Sequence, residues 1–328
     1  MERIKDNFEI VVPIRSTEMD IVFTDYEVFK TDLISYTEKH KLIKLINLGP
    51  FIITDLKFEF LELKDIIENE IYFQGFTHIG QREFKNDYLR ITIIVTRHTQ
   101  IFDFNVEVSR LVIRKLGLLI NLSYEMSLDF MNGILVDPKE NLFIGSTDIW
   151  HSHFDFAYTH TSKMNWPSLK GISISTTIDW LLDNDIPLNG TSNSKASRAV
   201  NALSHLFSDL SEKDSSFLFW SMLGIEALLA EGNENISSQI HQKAILILGE
   251  PKEFKKKLKQ LYNYRSRLVH GETNFPAKFT YDGDEFDAEY WDYLAFSGSI
   301  LLSLIRKLIV ENKIKFSFQL MYVTDHKF

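Results

Sequence analysis

The chain has 328 residues, is 45% hydrophobic, and carries a formal charge of -9 with no cysteine. That length suffices for a sizeable core and suggests about two domains, while the missing cysteines exclude a disulfide framework, a thiolate nucleophile and a cysteine-rich zinc site. The acidic total argues against a protein that coats nucleic acid by general attraction, and the charges threaded through MERIKDNFEIVVPI leave no signal-peptide core, so a cytoplasmic protein is expected.

In chain order, alternating or β-branched runs at Phe8 to Ile14, Phe51 to Leu61, Tyr88 to Thr96, Ser127 to Val136 and Gly171 to Thr177 predict strands. Between them, Val106 to Leu122 keeps apolar residues at helical spacing, which predicts a helix packed on the sheet. The polar tract Asn189 to Ser197 then breaks the pattern, and a domain boundary is placed there. Helices are predicted beyond it at Ala196 to Leu210, Phe217 to Glu231, Ser237 to Leu248, Lys252 to His270 and Tyr290 to Asn312, joined by short polar loops as in an antiparallel bundle. A last run, Lys315 to Val323, alternates like a strand. Leu294 to Val310 is the most apolar stretch, but Ser297, Ser299, Ser303, Arg306 and Lys307 make it a core helix and not a membrane span. The expected fold class is therefore α+β: a strand-rich mixed domain over residues 1–190, then an all-α domain over residues 191–328.

The segment LYNYRSRLVHG, Leu261 to Gly271, places Arg265 and His270 with four residues between them, just before a helix-stopping glycine. A permanently charged guanidinium beside an imidazole that titrates near neutrality can neutralise a phosphorane and move its protons, which suits RNA cleavage without a metal. On a helix, Leu258, Leu261, Tyr262, Leu268 and Val269 form one apolar stripe that contains Arg265, whereas Arg267 falls on the opposite face and Ser266 and His270 lie along one border. A guanidinium among apolar neighbours needs a carboxylate, a phosphate or a second subunit. In FLFWSMLGIEALLAEG, Glu226 shares a face with Phe219, Met222 and Leu229 and supplies such a carboxylate. Spacing alone leaves two readings open: a buried Glu226/Arg265 pair that pins two helices, with His270 capping its helix, or a reactive constellation. From Lys252 to His270, five Lys and two Arg face a single Glu, a local reversal of the acidic total that leads into the motif.

Two segments, Phe217 to Gly232 and Leu261 to Gly271, resemble the signature helices of the Apea-like branch of HEPN domains, in which "RS", two residues and "VHG" recur; Arg265, Ser266, Val269, His270 and Gly271 fill those positions here. The likeness extends to Ala196 through Leu210 and to the helix around Leu294 to Leu308, about the last 135 residues. It implies a HEPN-type helical bundle, a homodimer whose two motifs share one groove, and a metal-independent endoribonuclease of prokaryotic antiphage defence or growth arrest. By that resemblance His270 is the general acid or base, Arg265 stabilises the phosphorane, Glu226 orients Arg265, and Ser266 hydrogen-bonds the phosphate or His270. Lys255, Lys256 and Lys259, with the ring of Tyr262, are the residues expected to hold RNA. Some HEPN relatives are not nucleases, so a non-catalytic module that dimerises and binds RNA, a nucleotide or a protein stays open. His151 and His153, with His160 nearby, admit a metal site, but no fourth ligand stands out, and no metal or other cofactor is expected. The acidic stretch Tyr281 to Asp292 lacks the ligand positions of a calcium loop and reads as a solvated loop running into a helix N-terminus; the alternative is that it screens the basic strip until substrate arrives.

Overall fold

The computed structural model describes residues 4–16, 23–47, 51–79, 87–97, 104–125, 127–147, 157–158, 166–206, 216–251, 255–273 and 288–318. The chain begins as an antiparallel sheet and continues as helices. Strand β1 (Ile4–Ser16) is followed by α1 (Phe23–Ser35), α2 (Lys39–Ile46), β2 (Phe51–Glu62), α3 (Leu63–Glu68), α4 (Glu70–His78), β3 (Asp87–Arg97), α5 (Phe104–Ser123), β4 (Leu128–Phe130), β5 (Ile134–Asp137) and β6 (Leu142–Ser146). The sheet order is β2-β3-β1-β5-β6, with β4 pairing β1 off that path.

The period-two pattern of the long strands sorts their side chains to two faces. From β1, Phe8, Ile10, Val12 and Ile14 enter the main core with residues of α1, α2 and α5. Val11 points the other way, into a smaller cluster with Ile66, Tyr72, Phe76, Tyr88 and Ile134, which α3 and α4 cover. α4 starts where the Asn69 side chain accepts the amides of Ile71 and Tyr72 at 3.1 and 3.2 Å, satisfying donors that a helix start leaves open. On that face the Tyr72 hydroxyl donates to Glu9 at 2.9 Å and accepts from Arg90 at 3.0 Å, while Arg90 also pairs with Glu59.

Past the sheet come α6 (Ile174–Asp183), α7 (Lys195–Ser204), α8 (Ser216–Leu229), α9 (Ile236–Leu248), α10 (Lys255–Val269) and α11 (Ala288–Val310). α8 and α11 cross closely because Gly224 has no side chain: a Cβ there would stand 2.7 Å from Leu301. At the same crossing the hydroxyls of Ser221 and Ser297 lie 2.7 Å apart. By length and composition α11 could span a bilayer, yet 89% of its apolar window is buried inside the protein.

Three expectations need correcting. Gly171 to Thr177 is not a strand but the approach to α6: Ser173 is the N-cap, its hydroxyl accepting from the Thr176 amide at 3.2 Å, so the β-branched run continues as a helix. Ser127 to Val136 is not one strand but two, β4 and β5, broken at Gly133, where a Cβ would meet Val12 at 2.4 Å and the Val11 carbonyl at 2.7 Å. The described part of Lys315 to Val323, residues 315–318, is not a strand, and the rest lies outside the described residues. α1 to α4 were not foreseen at all.

The two halves are joined by one contiguous core whose members run from Phe8 to Phe316. Arg306 of α11, buried, is the polar centre of that junction. Its guanidinium donates to the carbonyls of Leu122 and Asn121 at 3.0 Å, of Leu169 at 2.5 Å and of Tyr124, and to the Tyr158 hydroxyl at 2.7 Å. No carboxylate pairs with it among the described residues; the carbonyls at the C-terminal end of α5, the negative end of a helix dipole, take that place. The expected boundary tract is ordered: Asn189 donates to the Asn47 carbonyl at 2.9 Å, and Ser194 and Ser197 form a reciprocal cap at the start of α7.

Candidate functional site

α10 is amphipathic, and Leu258, Leu261, Tyr264 and Leu268 are its buried residues. Tyr264, not Tyr262, is thus the aromatic residue on the inward side. It stacks on Tyr293 of α11, ring centroids 4.1 Å apart and planes 20° from parallel, and this contact rotates α10 so that Tyr262 is half-buried and Val269 exposed.

Arg265 follows Tyr264 and faces α8. Its side chain is 17% exposed and that of Glu226 is 19% exposed, with Nε of the arginine 3.8 Å from Oε1 of the glutamate. That distance makes an ion pair but not a hydrogen bond, and both atoms are buried without a hydrogen-bond partner. Burial pushes the Glu226 carboxyl above its usual range, and the Arg265 charge offsets part of that rise. The guanidinium carbon also lies 5.7 Å from the centre of the Phe219 ring. The structure therefore brings Arg265 and Glu226 together as their spacing required, in a loose pair whose hydrogen-bonding capacity is unspent.

His270 sits at the other end of the motif, where α10 stops. Gly271 adopts a left-handed φ of +74°; its amide donates to Leu268 at 3.2 Å, and that of Glu272 to Arg267 at 2.8 Å. This is a Schellman motif, in which backbone amides satisfy the last carbonyls of a helix. The cap is made by the backbone, so the imidazole is not needed for it; His270 is exposed and its side chain has no hydrogen bond among the described residues. Ser266 is half-buried one turn before it, and its carbonyl accepts the His270 amide at 3.0 Å.

The basic strip divides by role. Lys255, Lys256 and Lys259 are exposed, and Lys255 pairs with Glu250 at 2.5 Å. Lys257 is turned inward: its ammonium lies 2.8 Å from Asp292 and 5.4 Å from the centres of the Tyr293 and Phe296 rings. The last residue of the expected acidic stretch thus does meet the strip, at Lys257, while most of that stretch lies outside the described residues. So do His151, His153 and His160, and no cluster of metal-binding side chains occurs among the described residues.

On the far side of Phe219 a second aromatic group, not singled out in the sequence, continues the site. Trp220 meets Phe219 edge to face at 5.2 Å, and His205, the C-cap of α7, stacks on Trp220 at 3.9 Å and 10°. Adjacent aromatics in FLFW read as core; only the packing of α7 beside α8 brings a histidine to them. Comparison with protein families, curated proteins and solved structures returned no match.

Proposed function

We propose that the chain is a metal-independent endoribonuclease of the HEPN type, acting as a homodimer, with a role in antiphage defence or growth arrest that follows from the resemblance of its two motif helices. The observation that carries the reading is the pairing on one helix of a half-buried Arg265, its Nε buried with hydrogen-bonding capacity unspent, and an exposed His270 freed from capping. A ribose 2'-oxygen attacks the adjacent phosphorus, the bond to the 5'-oxygen breaks, and a 2',3'-cyclic phosphate and a 5'-hydroxyl result. His270 accepts the 2'-hydroxyl proton or donates one to the departing 5'-oxygen, and Arg265 holds the negative charge that builds on the phosphorane oxygens. Glu226 orients the guanidinium, and Ser266 is within a turn of His270 to bind phosphate or imidazole. Lys255, Lys256 and Lys259 supply sequence-independent attraction to the RNA backbone, and Tyr262 borders them.

Five residues on a regular helix turn the chain by about 140°, so Arg265 and His270 of one copy point to different sides of α10. Two copies meeting across this face put one imidazole on each side of the scissile bond, which divides the acid and base roles. Exposed Leu223 and Val269 flank the pair and offer apolar surface for that contact. The sheet half then serves as sensor of a trigger ligand or as a substrate guide.

The test is incubation of purified protein with cellular RNA in EDTA. Cleavage to 2',3'-cyclic ends is expected, abolished by His270→Ala and by Arg265→Ala; cleavage that persists in both variants overturns the assignment. Growth arrest on overexpression, lost in His270→Ala, covers the case of a nuclease that needs its trigger. A second reading, a non-catalytic dimerising module, is favoured by the Glu226/Arg265 ion pair, which also suits a pin between α8 and α10; there His270→Ala leaves every function intact.

A further inference from the structure

We propose that His205 and Trp220 form a stacking site for one unpaired base of the RNA, apart from the Arg265/His270 pair; the proposal rests on the endoribonuclease reading and names a further surface that holds its substrate. The two rings are parallel, 3.9 Å apart with planes at 10°. Trp220 is half-buried and packs against the core, which holds the indole in place, while His205 is exposed on top of it. An imidazole stacked on one face presents its other face outward, and no second ring occupies that face among the described residues. The pair thus presents a flat surface already stacked without ligand, an arrangement that limits the conformational entropy lost on binding.

Its position ties it to the reaction. Trp220 touches Phe219 at 5.2 Å, and Phe219 lies beneath the Arg265 guanidinium at 5.7 Å. The rings lead from the exposed imidazole to the phosphorane-binding arginine in contacts each under 6 Å. A cation lies on the same side of α7, about 10 Å along it: Arg198 is exposed, has no ion pair among the described residues, and precedes His205 by seven residues, two helical turns. A base on His205 with its phosphate toward Arg198 uses both groups. A base in a duplex has neither face free, so the site discriminates by strandedness and not by sequence, as sequence-tolerant stacking does.

The experiment compares wild type, His205→Ala, His205→Phe and Arg198→Ala on a short single-stranded oligoribonucleotide and on a duplex of the same sequence. Expected are preferential cleavage of the single strand and, in His205→Ala, a KM raised about tenfold with kcat within about twofold, since one base stack contributes roughly 1–3 kcal/mol; His205→Phe restores KM. Titration of the His270→Ala protein with the single strand should quench tryptophan fluorescence, and His205→Ala should weaken that binding by the same factor. An unchanged KM in His205→Ala, while His270→Ala still abolishes cleavage, overturns the stacking site and leaves the nuclease standing. Loss of the dimer in His205→Ala by analytical ultracentrifugation overturns it too, because the rings then belong to a contact between copies. Absence of both cleavage and binding in wild type is the failure of the nuclease reading itself.

Discussion

Tyr264 and Tyr293 lie ring on ring, 4.1 Å between centroids, and this contact decides which way the motif helix faces. With Tyr264 turned in against α11, Arg265 is carried toward Glu226 on α8, and Lys257, two turns earlier, reaches Asp292 on the same partner helix. The orientation of the arginine is therefore a property of the α10/α11 packing as much as of the motif.

Removing either ring should loosen that orientation. Tyr293→Ala is expected to cost about 3–4 kcal/mol, the cavity left by a large buried ring together with the lost stack, and Tyr293→Phe less than about 1 kcal/mol. Urea denaturation of the two variants checks this, and cleavage by Tyr293→Phe should stay near wild type.

The two residues of the motif should separate in stability. His270→Ala removes an exposed side chain without a hydrogen bond among the described residues, and a change within about 0.5 kcal/mol is expected. Arg265→Ala strands a half-buried Glu226, but the pair is 3.8 Å apart and not hydrogen-bonded. Its loss should cost about 1 kcal/mol, well short of a tight buried pair. Thermal melts of both variants, read beside their activity, show whether Arg265→Ala fails through chemistry or through folding.

Arg306 yields a prediction about dividing the chain. A fragment of residues 191–328 keeps the guanidinium but loses the carbonyls of residues 121, 122, 124 and 169 that hold it. The fragment also lays bare the apolar surface of α11 that shares the common core with the first half, so it is expected to lack a cooperative melting transition, and Arg306→Met in the full chain, which leaves those buried carbonyls without their donor, to cost at least about 3 kcal/mol. A fragment that melts cooperatively at the full-length temperature refutes the clamp.

Lys115 makes stability depend on alkaline pH. It is buried in α5, its ammonium donating to the Ile46 carbonyl at 2.9 Å, and desolvation lowers its pKa to about 7. Between about 7 and the unfolded value of 10.5 the unfolded chain holds the extra proton, so stability rises with pH through that window. The slope approaches about 1.4 kcal/mol per pH unit for a single proton. Urea midpoints from pH 7 to 10 should climb in wild type and stay flatter in Lys115→Met.

Much of the helical half was legible because each helix there carries its own stripe. Leu258, Leu261 and Leu268 fall at the spacing that buries them, and the Glu226/Arg265 partnership follows from two charges set among apolar neighbours. What could not be read was which of two tyrosines, Tyr262 or Tyr264, points inward. Tyr262 reads as part of the stripe and Tyr264 as just outside it, yet Tyr264 is the one turned inward, a choice that belongs to Tyr293 on another helix. The same limit hid α1 to α4: α1 has little amphipathic contrast, α3 and α4 are short, and their burial depends on a sheet face they help to cover. At Gly171 to Thr177 β-branched residues argued for a strand, and a single serine cap outweighed them. His205 and Trp220 share no local pattern, since only the arrangement of two helices makes them neighbours.

The contiguous interior from Phe8 to Phe316 has a consequence for the sensor role proposed for the sheet. Among the described residues strands and bundle share one core, so under the proposed sensor role a ligand on the sheet would act by changing how firmly the common interior is held, and with it local opening of α10, and not by swinging one lobe against another. Hydrogen exchange at the amides of Leu268 and Val269 would register that change before any product is formed.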